Sequence, residues 1–192
     1  VRHVEDGHRG EVDRGVIRGE PLVALRAVVG QEIIADRRRQ RARAQIGARE
    51  VLDETLEAGG RTLHYSAATI GNPHCVILCE HVSPRRAQEL GPLIETDARF
   101  PNRTNVQFMV VRDRHNIQIE IWERGAGYTL ASGSSSCAAA AVAHRLGFCD
   151  QEVAVHMPGG VIAISIGDHG AITMRGSVTK ICEGVLSAEL FG

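Results

Sequence analysis

The sequence has no run approaching about 18 consecutive apolar residues, so nothing in it reads as a membrane span. It has no excess of either charge. Lys and Arg number 22 and Asp and Glu 23, a net charge of −1, which removes the usual electrostatic case for nucleic acid or an acidic membrane surface as partner. It has no signal-peptide core, because the opening VRHVEDGHRGEVDRG is charged throughout; the default location is cytoplasmic. The five cysteines are an odd number and, with no export signal, are read as free thiols. What remains is the composition of an ordinary globular protein, 43% hydrophobic and 23% charged. Its 192 residues suffice for one domain or two small lobes.

The scarcities are uneven along the chain. Residues 1–60 contain no aromatic, Ser, Asn, Cys or Lys, and the aromatics all lie from Tyr65 onward. The Arg-rich stretch DRRRQRAR at 36–43 has a nucleic-acid reading, but 11 Arg against 11 Asp and Glu leave residues 1–60 neutral. A solvated or poorly ordered stretch is the better expectation. Gly19, Pro21 and Gly30 interrupt the apolar residues of 16–34. Residues 1–49 are therefore left as an unassigned leader, either poorly ordered or foreign to the rest of the chain.

From about Arg61 the patterns are clear. Val76, Ile77 and Leu78 follow a Gly-Asn-Pro turn and predict a buried strand. Cys75 and Cys79 beside His74 could form a metal corner, but without a second ligand pair the spacing is weak and no metal is expected. Ser83-Pro84 before RRAQELGPLIE predicts a helix with Ser83 as N-cap and proline at its first position. NVQFMVVRD predicts a strand. In HNIQIEIWE, Ile117, Ile119 and Ile121 alternate with Gln118, Glu120 and Trp122, so the two runs predict an antiparallel hairpin. Further strands are expected in QEVAVHM, VIAISI, AITM and near Val178–Cys182, with turns at ProGlyGly, GlyAspHisGly and ArgGly. Between them lies an Ala-rich helix, apolar on every side, which must be buried. The fold class is α/β in the broad sense (α+β), a strand-rich sheet wrapped around a central Ala-rich helix.

The start of that helix is the first candidate site. Ser134, Ser135 and Ser136 are expected where it begins, capping N–H groups that could also hold a carboxylate or phosphate. Gly133 would let backbone approach a ligand. The bland alternative is an ordinary capped core helix. The segment is no Walker loop, dinucleotide fingerprint or nucleophile elbow. Glu123-Arg124 ends the IQIEIW strand before a Gly-Ala-Gly turn. It could clamp a substrate, Arg on a carboxylate and Glu on an amine, or be a surface salt bridge. Asn72 in the 71–74 turn, and Asn105, are weaker polar candidates, each readable as an ordinary turn or capping residue.

In order, GNPHCVI at 71–77, LGPLIETDARFPNRTNVQF at 90–108, WERGAGYTLASGSSSCAAA at 122–140 and HMPGG at 156–160 resemble the diaminopimelate epimerase family. The resemblance runs over about residues 50–192. It implies a lobe of a two-lobed fold and an isomerase that converts LL- to meso-diaminopimelate in lysine biosynthesis. The chemistry would be proton transfer at Cα between two cysteines, one per lobe, with no cofactor or metal. It further implies that Asn72 and Asn105 contact the distal part of the amino acid. Glu123 and Arg124 would bind near the reacting carbon, and Gly133 and Ser134 would offer backbone N–H groups to the carboxylate. His74 and Glu123 would tune the catalytic thiols.

Two departures shape the expectation. The position that the resemblance gives to this lobe's catalytic cysteine is Ser132, whose hydroxyl is a poor base for an amino-acid α-carbon. The other lobe's cysteine has no counterpart in residues 1–60. The expectation is an incomplete or variant epimerase chain, inactive alone. The alternatives are a one-base racemase- or dehydratase-like enzyme and a non-catalytic ligand-binding lobe. The expected partner is a small-molecule amino acid, neither nucleic acid nor membrane, with a homodimer left open.

Overall fold

The computed structural model describes residues 33–34, 45–46, 49–179 and 181. Apart from the two-residue strands β1 (Ile33–Ile34), β2 (Gln45–Ile46) and β3 (Arg49–Glu50), the described chain runs β4 (Glu54–Ala58), β5 (Arg61–Thr69), β6 (Pro73–Leu78), α1 (Pro84–Glu95), β7 (Asn105–Asp113), β8 (Asn116–Glu123), β9 (Gly127–Thr129), α2 (Gly133–Arg145), β10 (Glu152–Met157), β11 (Gly160–Ile166) and β12 (Ile172–Gly176). The sheet order is β1-β12-β11-β10-β8-β7-β6-β5-β4, with β9 paired to the end of β8 at Ile121–Glu123, past its pairing with β10, and β2 and β3 pair separately. Neighbours are antiparallel except β6 with β7 and β8 with β10. A parallel pair needs a crossover. Here the two helices supply it, α1 between β6 and β7 and α2 between β8 and β10.

Each crossover helix covers its own face. Val76, Met109, Ile117, Ile119, Ile121, Val153, Val155 and Ile164 turn toward α2 and enclose Ala138, Ala139, Ala140, Val142 and Ala143. Leu56, Tyr65, Cys75, Ile77, Val106 and Phe108 turn toward α1 and meet Ala87, Leu90 and Ile94. The period of two seen in residues 117–122 is this division: the isoleucines are buried under α2 and Trp122 packs on the α1 side. Alanines along α2 bring sheet backbone near its axis, so strands from β5 to β12 can curve around it. The sheet wrapped around the Ala-rich helix is thus observed.

Ser83 caps α1 as expected, its Oγ accepting from the Arg86 N–H at 3.3 Å with Pro84 at the first helical position. The hairpin from Asn105 to Glu123 also forms, turning at Arg114–His115. Three expectations are corrected. α2 begins at Gly133, so Ser134–Ser136 do lie in its first turn as expected, but the capping residue is Ser132 and not one of them. Arg175-Gly176 is not a turn but the end of β12, paired with β11 and β1. No strand forms over 177–179, and most of the strand expected at Val178–Cys182 lies outside the described residues, as does most of 1–49. Among the described residues no helix is long and apolar enough to cross a membrane.

Candidate functional site

The β6–β7 crossover places polar groups at one end of the sheet. His74, on β6, is 1% exposed, and its Nε2 lies 3.0 Å from Asn72 Oδ1. Burial pushes its pKa down from 6.5 to about 4, the neighbouring Gln107 amide works against this, and the nearby Arg124 charge adds to it. His74 is therefore a neutral imidazole at physiological pH. Asn105, opposite His74 in the β6–β7 register, donates through Nδ2 to the Pro73 carbonyl at 2.9 Å and accepts the Arg124 N–H on Oδ1 at 3.0 Å. This one amide ties the 71–74 turn to the 123–127 turn. Arg124 in turn donates from Nη1 to the Asn102 carbonyl at 3.0 Å.

Asn72, His74 and Arg124 line an open cleft of about 1020 Å³, together with Gly71, Arg99, Asn102 and Arg103. Asn105 stands behind it as a brace rather than in its wall. Glu123 ends β8 opposite Gly127 of β9, immediately before Arg124 and outside the lining.

The second cluster is the start of α2. Ser132 has extended backbone, and its Oγ accepts the Ser135 N–H at 3.4 Å and lies 3.4 Å from Ser134 Oγ. The Ser132 N–H points to Met157 Sδ at 3.5 Å, and its carbonyl accepts from Ser136 Oγ at 2.8 Å. Gly133 passes so close to Met174 that a Cβ there would lie 2.8 Å from Sδ. The N–H groups of Gly133 and Ser134 have no acceptor among the described residues, as the free donors of a helix start should. Ser132, Gly133 and Ser134 do not line the cleft of Asn72 and Arg124. What joins the two clusters is Gln107, fully buried on β7, whose Nε2 donates to Ser135 Oγ at 2.9 Å.

Four thiols belong to the described residues, all free. Burial raises the pKa of each: that of Cys137 to about 11, and those of Cys75, Cys79 and Cys149 in the same direction. Cys182 lies outside the described residues. Among the described residues no group of His, Cys, Asp and Glu is placed to hold a metal.

Sequence reasoning missed two structural members of this region. Gln107 interrupts the apolar strand NVQFMVV, and a polar residue in a strand buried on both faces is itself a signal. Glu95 closes α1, where a carboxylate opposes the helix dipole. It is buried and accepts from Trp122, Gly125 and Arg103.

Comparison with known proteins gives a consistent answer. Residues 66–181 match the family model described as diaminopimelate epimerase. A Nostoc sp. protein named diaminopimelate epimerase 2 is 58% identical over 143 residues, 74% of this chain and 50% of that protein. A diaminopimelate epimerase from Stutzerimonas stutzeri is 42% identical over 71% of this chain and 50% of its own length. One from Desulfitobacterium hafniense is 32% identical over 88% of this chain and 59% of its own length. That 88% is more than residues 50–192 make up, so the match reaches into the N-terminal segment where the sequence reading found no resemblance. The chain spans about half the length of the curated relatives it matches.

Proposed function

The chain belongs to the diaminopimelate epimerase family, and from that premise we propose that it binds diaminopimelate as part of a cofactor-independent Cα epimerisation. In this proposal the unpaired N–H groups of Gly133 and Ser134 take the substrate carboxylate, helped by the positive end of α2. Arg124 and Glu123 bind near the reacting carbon, Asn72 reads the distal end, and Asn105 holds the two turns together from behind. His74, neutral and buried, is a hydrogen-bonding partner to a catalytic group rather than a charge. The observations that support the proposal are the pair of free helix-start donors at Gly133 and Ser134 and, separately, the braced Arg124 turn in the wall of the cleft. Both offer N–H donors to a carboxylate, which leaves Glu123 as the acceptor for an ammonium group.

Ser132 occupies the position of a proton-transferring thiol. Its hydroxyl is engaged as the α2 cap and ionises far above neutral pH. The four described cysteines are held as neutral thiols, so none offers a base. The proposal is therefore substrate binding without epimerisation by this chain alone. The test is incubation with LL-diaminopimelate in heavy water, alongside calorimetry. Binding heat with no α-deuterium is expected. Rapid α-deuterium incorporation would overturn the second half of the proposal, and absence of binding heat the first.

A further inference from the structure

We propose that Glu95 is the positioning residue of the substrate clamp: its buried carboxylate sets the conformation of the 123–127 turn that carries Glu123 and Arg124. The proposal rests on the functional reading above only in taking Arg124 as a substrate contact.

Glu95 sits in the last turn of α1, where partial negative charge disfavours an acid, and it is only 5% exposed. An ionised carboxylate is acceptor-only and is costly to bury unless its oxygens are filled. Glu95 is filled from three directions. The Trp122 indole N–H donates to Oε2 at 2.7 Å, the Gly125 N–H to Oε1 at 3.0 Å, and Arg103 Nη1 to Oε1 at 3.2 Å. Its own backbone carbonyl accepts the Thr104 N–H at 3.2 Å. One residue thus joins α1, the 96–104 loop and the 123–127 turn.

The geometry around it is arranged for that purpose. Gly91, one helical turn earlier, leaves room for the indole; a Cβ there would stand 2.4 Å from Trp122 Cγ. Gly125 has φ +76°, a left-handed conformation that L side chains rarely adopt, and its N–H points back at the carboxylate. Arg124, between Glu123 and Gly125, is fastened through Asn102 to the same loop that Glu95 holds through Arg103. Glu95 itself does not line the cleft, so any effect on ligand must pass through the turn.

The experiment uses the full chain and Glu95→Gln, which keeps volume but replaces one acceptor oxygen with a donor, so that it cannot serve Trp122, Gly125 and Arg103 together. The single tryptophan, Trp122, reports directly. The expected result is red-shifted emission, hydrogen exchange at 123–127 faster by about tenfold, unchanged exchange in α2, and diaminopimelate affinity weaker by about tenfold, the scale of one lost charge-assisted hydrogen bond. Unchanged emission with unchanged exchange at 123–127 overturns the proposal, as does acceleration spread evenly through α2, which would mark a merely structural role. If Glu95→Gln fails to fold, Arg103→Ala removes one donor from a mostly exposed side chain. It should show the same local pattern at smaller amplitude, and no local change there overturns the proposal too. If the unaltered chain binds no diaminopimelate while the turn still loosens in Glu95→Gln, the functional reading fails and the positioning of the turn stands.

Discussion

His74 carries a measurable signature because its environment opposes its charge. Its folded pKa, about 4, lies below the unfolded value of 6.5. Protons therefore favour the unfolded chain, so the stabilisation is complete above about pH 7 and is lost as pH falls from 6.5 toward 4. The full span corresponds to about 3 kcal/mol. The sequence holds nine histidines, so the informative quantity is a difference. Urea unfolding at pH 7 and pH 5 should show the native chain losing about 2 kcal/mol more than His74→Gln; equal losses would mean that His74 is not held neutral. Ser132 offers a second residue-scale prediction. In Ser132→Cys the thiol would occupy a helix N-cap, where unpaired N–H groups and the dipole favour thiolate. Iodoacetamide should label it in a fast phase with apparent pKa below about 8.5, distinct from the raised thiols of Cys75, Cys137 and Cys149, which are buried, and of Cys79, which is half-buried. The cost should be about 1 kcal/mol of stability, from the weaker cap. A missing fast phase below pH 8 would show that the α2 start does not activate an anion.

At the scale of elements, α1 and α2 meet the sheet by opposite means. α2 is lined with alanines and lets the strands close in, whereas α1 opens a slot at Gly91 into which Trp122 fits. Replacing a helix-interior glycine with alanine ordinarily helps by up to about 1 kcal/mol. Gly91→Ala should instead destabilise by a net 1–2 kcal/mol, roughly the cost of an overpacked core less that gain. Thermal unfolding checks it, and a stabilised variant would mean that the indole moves freely. Which elements were legible in the sequence follows from how each is buried. The 105–123 hairpin read clearly because Ile117, Ile119 and Ile121 face one core and their neighbours another environment. The nine-residue β5 did not, because its second half is buried on both sides: Ala67 faces α1 and Ala68 faces α2, which erases the alternation. The cap of α2 was sought among Ser134–Ser136 and is Ser132, since a run of four hydroxyl residues broken only by Gly133 does not say which one keeps extended backbone. Gln107 left a signal, as a polar residue inside an apolar run, but its role and that of Glu95 were not legible because their partners lie many residues away in the chain.

At the scale of the molecule, one sheet carries both cores. β6, β7 and β8 give alternate side chains to the α2 cluster and to the α1 cluster, so neither helix can leave without exposing the back of strands that the other needs. The wrapped sheet could be anticipated from a helix apolar on every side. The second core could not, because α1 has exposed polar residues along much of its length and shows only a narrow apolar stripe. This shared sheet makes a specific expectation about cooperativity. Trp122 emission reports the α1 side, and far-UV circular dichroism reports all strands and α2. If the sheet couples the cores, the two transitions in urea should coincide, as a two-state domain requires. The coincidence should persist in Ala139→Leu, which overpacks the α2 side alone and should cost about 1–3 kcal/mol. Trp122 is far from that substitution in the layer order, on the opposite face. An emission midpoint that shifts with the dichroism midpoint would therefore show the strain crossing the sheet. An emission midpoint left in place while dichroism shifts would show two independently melting layers, and would sink the single-sheet account of stability.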